Sequence, residues 1–297
     1  MSTPMTREEF ACLCRRPVLL DGAMGSNLML AGMPRGVCAE GWALENKDVV
    51  ISLLRDYVAA GSQIIYAPTF GANRAALRHF NLEDRLEEMN HALIALAREA
   101  AGSRALVAGD MTTLGHPVEE DGAYSYAALL SIYREQAQAL CDGGADLIVI
   151  ETMMGVSECM AAVEAVRSVC QLPILCTISA QADGKCYFDG TAIEAAPLLE
   201  ALGADAVGVN CASGPDQLES LIAALHRACS LPIAAKPNAG LPQILPDGTA
   251  VYPMDAAAFA GHMTRLSDAG ATLLGGCCGT DPSYIRALRG QRMFSHL

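Results

Sequence analysis

The sequence predicts an α/β fold, a single (β/α)8 barrel (TIM barrel) that spans residues 1–297 as one domain. A unit made of a short apolar run, a polar or glycine-containing turn and a helix-like segment recurs about eight times along the 297 residues. The apolar runs are continuous rather than alternating, which is typical of parallel strands covered by helices. Eight such units at this length favour a closed barrel over a doubly wound sheet.

The strands are predicted from runs rich in β-branched and aliphatic residues that end at glycine, proline or a polar residue. In chain order they are PVLLDG (17–22), SQIIYAPTF (62–70), RALVAGDM (104–111), ADLIVIET (145–152), PILCTIS (173–179), DAVGVNC (205–211), PIAAKPN (232–238) and ATLLGGCC (271–278). The helices between them are predicted from helical spacing of apolar residues and from terminal glycines, as in DVVISLLRDYVAAG (48–61), ALLSIYREQAQALCDGG (128–144) and DAAAFAGHMTRLSDAG (255–270). A last helix is expected to begin near Asp281 and Pro282.

The composition narrows the class of protein. Hydrophobic residues make up 52% of the chain, which is enough for a full core. The chain has 33 acidic and 20 basic residues, and the net charge of -13 disfavours nucleic acid and anionic membranes as partners. The apolar stretches near the N-terminus are too short for a signal peptide or a membrane helix, so we expect a cytoplasmic protein. The 12 cysteines lack a framework spacing, which fits a reducing compartment.

Polar side chains follow most of the predicted strands. In barrels of this class, functional residues stand where the strands end on the C-terminal face. The residues at those positions are Asp21, Thr69, Asp110, Glu151, Asn210, Cys211, Lys236, Asn238, Cys277 and Cys278. The sixth and eighth strands lie two apart in a closed barrel, so we expect their three cysteines to converge.

Three converging thiols with no histidine at a strand end are typical of a zinc site that keeps one position open for a substrate atom. Two other interpretations stay open on the residues alone, since a cysteine at a strand end can be a small buried hydrophobe and the adjacent Cys277 and Cys278 can be redox partners. The flanking glycines of GGCCG favour a ligand, because they let the backbone approach it closely. Asp21 and Glu151, taken singly, are equally compatible with a turn aspartate and with a neighbour of a helix N-cap.

Six longer motifs narrow these alternatives. They are LLDGAMGSNL, YVAAGSQIIYAPTFGAN, YREQAQALCDGGADLIVIET, GADAVGVNCASGP, KPNAGLP and GGCCGTDP. On these stretches the chain resembles the zinc-dependent homocysteine S-methyltransferases. Within that family it is most similar to the homocysteine-binding module of cobalamin-dependent methionine synthases. The KPNAGLP motif (236–242) favours this branch over the betaine-using and sulfonium-using branches.

The resemblance implies a metal centre and a reaction. Its three zinc thiolates are Cys211, Cys277 and Cys278, which act in catalysis through the metal. Zinc bound by three thiolates holds the homocysteine sulfur as a nucleophilic thiolate, and transfer of a methyl group to it gives methionine. A methyl-corrinoid such as methylcobalamin is the expected donor. We expect it on a separate corrinoid protein, because this chain has no D-x-H-x-x-G motif and its length leaves no room for a corrinoid module.

The resemblance also implies how homocysteine is held. Asp21 and Glu151 bind its ammonium group, while the backbone around Ala23 and the region of Thr69 meet its carboxylate. Asn210 is expected among the same substrate-binding residues. Two carboxylates for one ammonium, and amides for one carboxylate, are chemically matched partners.

The chain departs from the family pattern at two places near the expected mouth of the barrel. Ala67 and Pro68 replace a common Thr-Asn pair, and Thr112 and Thr113 replace a Gly-Pro pair.

Three alternative functions remain. In the first, the methyl donor is a sulfonium such as S-methylmethionine or S-adenosylmethionine, and the acceptor is homocysteine or a selenocysteine-like compound. In the second, the protein is a non-catalytic zinc or thiol switch. In the third, it is an unrelated barrel lyase or hydrolase whose cysteines are incidental.

Overall fold

Eight parallel strands form the centre of the computed structural model, which describes residues 4–211, 213–246 and 250–297. They are β1 (Val18–Leu19), β2 (Ile64–Tyr66), β3 (Leu106–Thr112), β4 (Leu147–Met153), β5 (Ile174–Ile178), β6 (Ala206–Asn210), β7 (Ile233–Lys236) and β10 (Ala271–Leu274). Two short antiparallel strands, β8 (Gln243–Ile244) and β9 (Ala250–Val251), follow β7. The parallel strands pair in the order β1-β10-β7-β6-β5-β4-β3-β2, which confirms the predicted (β/α)8 barrel.

The barrel closes between β1 and β2 through individual hydrogen bonds. The Gln63 amide donates to the Leu19 carbonyl at 2.7 Å, and the Leu19 amide donates to Gln63 Oε1 at 3.0 Å. Near the C-terminal face, the Tyr66 amide donates to Asp21 Oδ2 at 2.7 Å. The carboxylate of Asp21 therefore helps to close the barrel as well as facing its mouth.

Helices surround the barrel. Those of the described residues are α1 (Arg7–Leu13), α2 (Gly25–Leu30), α3 (Ala39–Glu45), α4 (Lys47–Ala60), α5 (Arg74–Arg78), α6 (Leu86–Ala101), α7 (Tyr126–Asp142), α8 (Val156–Val169), α9 (Ala192–Ala201), α10 (Glu219–Ala228), α11 (Ala256–Asp268) and α12 (Pro282–Arg289). Helix α4 ends at Gly61, whose φ of 114° only glycine adopts easily. Helix α12 begins as predicted, with Asp281 as its N-cap. None of these helices is long and apolar enough to cross a membrane.

Apolar side chains fill the lower part of the barrel. Fully buried residues from the strands, including Ile64, Val149 and Leu273, pack there against Phe10 of α1. A capping box between Thr6 and Glu9 starts this helix. Helix α1 was not predicted from the sequence. In the structure it covers the N-terminal end of the barrel, which is called the floor below.

Six of the eight strands stop earlier than the predicted runs, whereas β3 and β4 each extend one residue beyond them. The first run ends as a strand at Leu19 and the last at Leu274, because the following residues are polar or glycine and turn into loops. These loops lie on the C-terminal face and carry Asp21, Cys277 and Cys278.

Candidate metal and substrate site at the mouth of the barrel

Three cysteines converge at the C-terminal face. The Sγ atoms of Cys211, Cys277 and Cys278 all lie within 4.8 Å of one another, and Cys211 and Cys278 are 3.6 Å apart. Cys277 is buried, while the other two are partly exposed. The loops after β6 and β10 thus bring together the cysteines that the sequence placed at the ends of these strands, and the partly exposed sulfurs are within reach of a ligand.

The loop after β7 fixes both cysteine-bearing loops. The Asn238 side chain donates from Nδ2 to the Cys211 carbonyl at 2.9 Å, and the Cys277 amide donates to the Pro237 carbonyl at 2.7 Å. These bonds support a left-handed backbone at Cys211, whose φ of 60° is uncommon for a residue other than glycine. Hydrogen bonds of the chain itself therefore connect the two cysteine-bearing loops.

The glycines around the paired cysteines permit close approach between loops. A Cβ at Gly275 would lie 2.6 Å from the Asp21 carbonyl oxygen, and the Gly276 amide donates to that same oxygen at 3.0 Å. Gly279 has a φ of 81° and lies directly under the Tyr252 ring. In the structure these glycines bring the loop against the chain itself, whereas the sequence analysis expected an approach to a ligand.

Tyr252 is a residue of this site that the sequence analysis missed. Its hydroxyl interacts with the Cys278 thiol and helps to lower the pKa of that thiol. The segment that carries it is held in place because the Tyr284 hydroxyl donates to the Met254 carbonyl at 2.6 Å. Tyr252 follows the short hairpin rather than a barrel strand, so inspection of strand ends could not find it.

The thiols of the cluster differ in pKa. Hydrogen bonds from Cys211 and Cys277, with a further one from Tyr252, lower the pKa of Cys278 to about 3. The pKa of Cys277 is raised, because it donates to Cys211 and Cys278 and is buried. These hydrogen bonds therefore favour the thiolate form of Cys278.

The donor set fits a zinc ion. Three converging sulfurs are the soft ligands that zinc accepts in sites with an open position. Asn238 Oδ1 is buried beside them, and among residues 4–211, 213–246 and 250–297 it has no hydrogen-bond partner. A zinc ion would be held by Cys211, Cys277 and Cys278.

A layer of buried charged residues borders the cysteines inside the barrel. Asp21, Glu151 and Asp110 are 2%, 7% and 5% exposed, respectively. Lys236 Nζ lies 3.2 Å from Asp21 Oδ1 and 4.0 Å from Glu151 Oε2. Asn210 donates from Nδ2 to Glu151 Oε2 at 3.4 Å and directly precedes Cys211, so the acidic layer and the sulfur cluster are adjacent.

Burial governs the titration of these carboxyl groups. It raises the pKa of Asp21 and of Glu151, against the opposing charge of Lys236. The pKa of Asp110 is raised further, by burial and by the negative charge of Glu151. Within the described part of the chain, Oδ1 of Asp21 and Oδ1 of Asp110 are buried without hydrogen-bond partners. These two carboxylate oxygens can therefore accept hydrogen bonds from a cationic group of a ligand.

Ala23 and Thr69 lie at the same face, but their polar groups are already engaged. The Ala23 amide donates to Thr280 Oγ1 at 3.2 Å, and its carbonyl accepts from the Tyr57 hydroxyl at 2.8 Å. Thr69 Oγ1 donates to the Asp110 carbonyl at 2.8 Å and accepts from the Asp110 amide at 2.9 Å. Thr69 thereby fixes the end of β3.

The two departures from the family pattern also lie at the mouth. Thr112 Oγ1 donates to the Glu151 carbonyl at 2.9 Å, and Thr113 Oγ1 donates to Glu158 Oε2 at 2.7 Å. Ala67 is buried next to β2. The threonines thus tie β3 and the loop that follows it to β4 and α8 around Glu151.

The chain is similar to proteins of known function. The family described as homocysteine S-methyltransferase matches residues 18–291. The methionine synthase of Mycobacterium tuberculosis is 32% identical over 301 residues, which are 92% of this chain and 24% of that protein. The methionine synthase of Mycobacterium leprae is 30% identical over the same shares. The chain therefore spans about a quarter of the length of the curated relatives it matches.

Solved structures also resemble the chain. The oxidized form of the homocysteine methyltransferase MmuM from Escherichia coli is 25% identical, with a TM-score of 0.79 over 92% of this chain and 95% of that one. The metallated form of the same protein is 24% identical, with a TM-score of 0.78 over 94% of this chain and 98% of that one. Both share the barrel fold described above.

Proposed function

Because the chain belongs to the homocysteine S-methyltransferase family, we propose that it transfers a methyl group to the thiol of homocysteine and so forms methionine. The observation that carries this proposal is the sulfur cluster of Cys211, Cys277 and Cys278 beside a buried acidic layer. A thiol ligand and a cationic ligand group can be held at the same time there. An amino-acid thiol has both.

Cys211, Cys277 and Cys278 are the proposed ligands of zinc. A zinc ion bound by three thiolates keeps a position open for a substrate atom and lowers the pKa of a thiol that binds there. The hydrogen bonds that lower the pKa of Cys278 prepare one sulfur for the metal, and the loop after β7 holds the cluster together. The structure of the MmuM protein in a metallated form supports this assignment.

The acidic layer is the proposed site of the substrate ammonium. The carboxylates of Asp21 and Glu151 are the proposed partners of this ammonium group, and Asn210 holds Glu151 in place through its hydrogen bond. The substrate carboxylate is assigned to the backbone around Ala23 and to the region of Thr69. Since the Ala23 amide donates to a hydroxyl that can rotate, a stronger carboxylate acceptor can replace that bond.

The proposed methyl donor is a methyl-corrinoid carried by a separate protein or module, and the site residues act by orienting the substrate sulfur toward the open face. Methionine synthases among the relatives and the KPNAGLP motif support this donor. A sulfonium donor is the second candidate, because the MmuM protein, which covers nearly the whole chain, is named as a homocysteine methyltransferase rather than a methionine synthase.

The proposal is tested by anaerobic assay of the zinc-loaded protein with homocysteine. Methylcobalamin, S-methylmethionine and S-adenosylmethionine are supplied in parallel, and methionine is measured by mass spectrometry. We expect methionine with one of these donors, zinc close to one equivalent, and loss of both zinc and product in Cys278→Ala. The control is Cys12→Ser, which alters an exposed cysteine away from the cluster.

The three donors separate the candidates. Product with methylcobalamin favours the corrinoid donor, and product with only a sulfonium favours the second candidate. Absence of methionine with all three, in a protein that binds zinc in its three cysteines, would favour the non-catalytic zinc switch. Product that survives Cys278→Ala would contradict a role for the cluster.

A further inference from the structure

Lys236 occupies the centre of the acidic layer. It is the last residue of β7, and 3% of its surface is exposed. Its ammonium group lies 3.2 Å from Asp21 Oδ1, 4.0 Å from Glu151 Oε2 and 3.5 Å from the Gly22 carbonyl oxygen, and it stands 4.4 Å from the centroid of the Tyr66 ring. Both carboxylates assigned to the substrate ammonium therefore already face a cation that belongs to the protein.

The charge of the layer explains why this cation is needed. Three carboxyl groups, those of Asp21, Asp110 and Glu151, are buried close enough for their charges to interact. Buried like charges repel, and without a counter-ion at least one of them takes up a proton. Burial would lower the pKa of Lys236, but the charges of Asp21 and Glu151 outweigh this and raise its pKa. Lys236 therefore stays charged among them.

Lys236 leaves room for a second cation. Its distance to Glu151 is at the limit of an ion pair, and Asp21 Oδ1 lacks a hydrogen bond within the described residues even though the ammonium lies 3.2 Å away. Asp110 Oδ1 is also buried without a partner there. With Asp21 and Glu151 ionised and Lys236 charged, the layer keeps an excess of negative charge.

We propose that Lys236 is a positioning residue that holds the carboxylates of Asp21 and Glu151 in place, and thereby gives the site its preference for a thiol with an α-amino group over the same thiol without one. The inference rests on the proposed function and adds a determinant of its substrate class. Lys236 acts through the two carboxylates and does not contact the reacting sulfur.

The test measures binding directly, so that it does not depend on the methyl donor. Zinc-loaded protein is titrated calorimetrically with homocysteine and with 4-mercaptobutanoate, which has the same thiol and carboxylate but no amino group. The variants are Lys236→Met, which removes the charge at similar length, and Lys236→Arg, which keeps a charge. Lys185→Met, at an exposed lysine, is the matched control. Zinc content and thermal unfolding are recorded for each protein.

We expect Lys236→Met to weaken homocysteine binding by about tenfold to about a hundredfold, as for loss of an interaction with a charged group. Binding of 4-mercaptobutanoate should change less than about threefold, by the same reasoning, since it makes no ammonium contact. Lys236→Arg should recover most of the preference, and Lys185→Met should match the unaltered protein. In steady-state assays with the donor found above, KM for homocysteine should rise while kcat stays nearly unchanged.

Three results would overturn the inference. Equal loss for both thiols would indicate a general structural role, unchanged binding would indicate no role, and tighter homocysteine binding would show that Lys236 competes with the substrate ammonium. If Lys236→Met does not fold, Lys236→Gln has the same expected pattern. Failure of the unaltered zinc-loaded protein to bind homocysteine would instead contradict the proposed function itself, so the two failures are distinguishable.

Discussion

Asp21 and Glu151 bind an ammonium group only while they are ionised, so the proposed site predicts a pH dependence. Burial raises the pKa of both groups, and ionisation is therefore complete only above these raised values. The site therefore binds the ammonium group at pH values above the raised pKa values, and this binding is lost as the pH falls through those pKa values. We expect the preference for homocysteine over 4-mercaptobutanoate to decline as the pH falls through the raised pKa values of the two carboxyl groups, by up to about tenfold per pH unit below them.

Calorimetric titration of zinc-loaded protein with both thiols at several pH values measures this preference. The ratio of the two dissociation constants removes the pH dependence of the thiol and of the metal, because both ligands share these. A preference that is constant across the range, or that grows on acidification, would contradict the assignment of Asp21 and Glu151 to the ammonium.

Tyr252 gives a second prediction at the scale of a residue. Its hydroxyl helps to lower the pKa of Cys278, and polar partners of metal ligands commonly affect metal affinity. We expect Tyr252→Phe to keep the fold but to lower the affinity for zinc by about tenfold or more, as is typical for loss of such a partner. Competition with a chromophoric zinc chelator measures this affinity.

Tyr284→Phe separates the contact with Cys278 from the position of the segment, since it removes the bond to the Met254 carbonyl that holds the segment but keeps the Tyr252 hydroxyl. An equal change of zinc affinity in both variants would indicate that the segment as a whole, and not the contact with Cys278, matters for the metal.

Residues of the site differ in how far the sequence could predict them. Cys211, Cys277 and Cys278 follow barrel strands, and their convergence was predicted from topology alone and is observed. The roles of Asp21 and Glu151 stay predictions, although the structure brings the two together around Lys236. Tyr252 could not be predicted, because only the folded path of the segment after β9 brings it to Cys278.

At the scale of elements, the short helix α1 contributes to the core of the barrel. Phe10 is fully buried in the floor of the barrel, against the lower side chains of the strands. We expect Phe10→Ala to lower the free energy of unfolding by about 3–5 kcal/mol, because it leaves a cavity in the core. Zinc content and homocysteine binding should persist, since the mouth lies at the opposite end.

Urea unfolding followed by circular dichroism measures this change. Phe80→Ala, at a phenylalanine that is 40% exposed, is the control and should change stability by less than about 0.5 kcal/mol. A loss for Phe10→Ala no larger than that of the control would contradict the role of α1 as the floor.

The regular strands and longer helices were predictable, whereas the additions to the barrel were not. The eight apolar runs and helices α4, α7, α11 and α12 follow from periodicity and from their terminal residues. The short α2, α3 and α5 and the β8–β9 hairpin have too few residues for a periodic pattern, and tertiary contacts determine them. Six of the eight predicted strand runs, all but those of β3 and β4, were also too long at the C-terminal side, because loop residues there are held by hydrogen bonds to other loops.

For the molecule as a whole, the barrel core and the mouth loops are held together by the chain itself. Hydrogen bonds of the loop after β7 connect the two cysteine-bearing loops. We therefore predict that chelation of zinc leaves the far-ultraviolet circular dichroism unchanged. Zinc should raise the stability by mass action, by about 4 kcal/mol at a thousandfold excess over its dissociation constant.

Thermal unfolding of the chelated and zinc-loaded protein measures both effects. The same titration on Cys211→Ser should show no stabilisation by zinc. Loss of helical signal on chelation would indicate a structural metal centre and would contradict a site assembled by the fold.

The fold class of the molecule was predictable because eight repeated units at this length leave few arrangements, and the pairing order confirms it. A single domain over residues 1–297 and the identity of the donor stay predictions.

X-ray absorption at the zinc edge tests the central claim most directly, namely that the three cysteines bind a metal that accepts the homocysteine thiol. We predict that the zinc-loaded protein gains one sulfur neighbour at the metal when homocysteine is added, and none when methionine is added. An unchanged number of sulfur neighbours with homocysteine present at saturation would contradict the account.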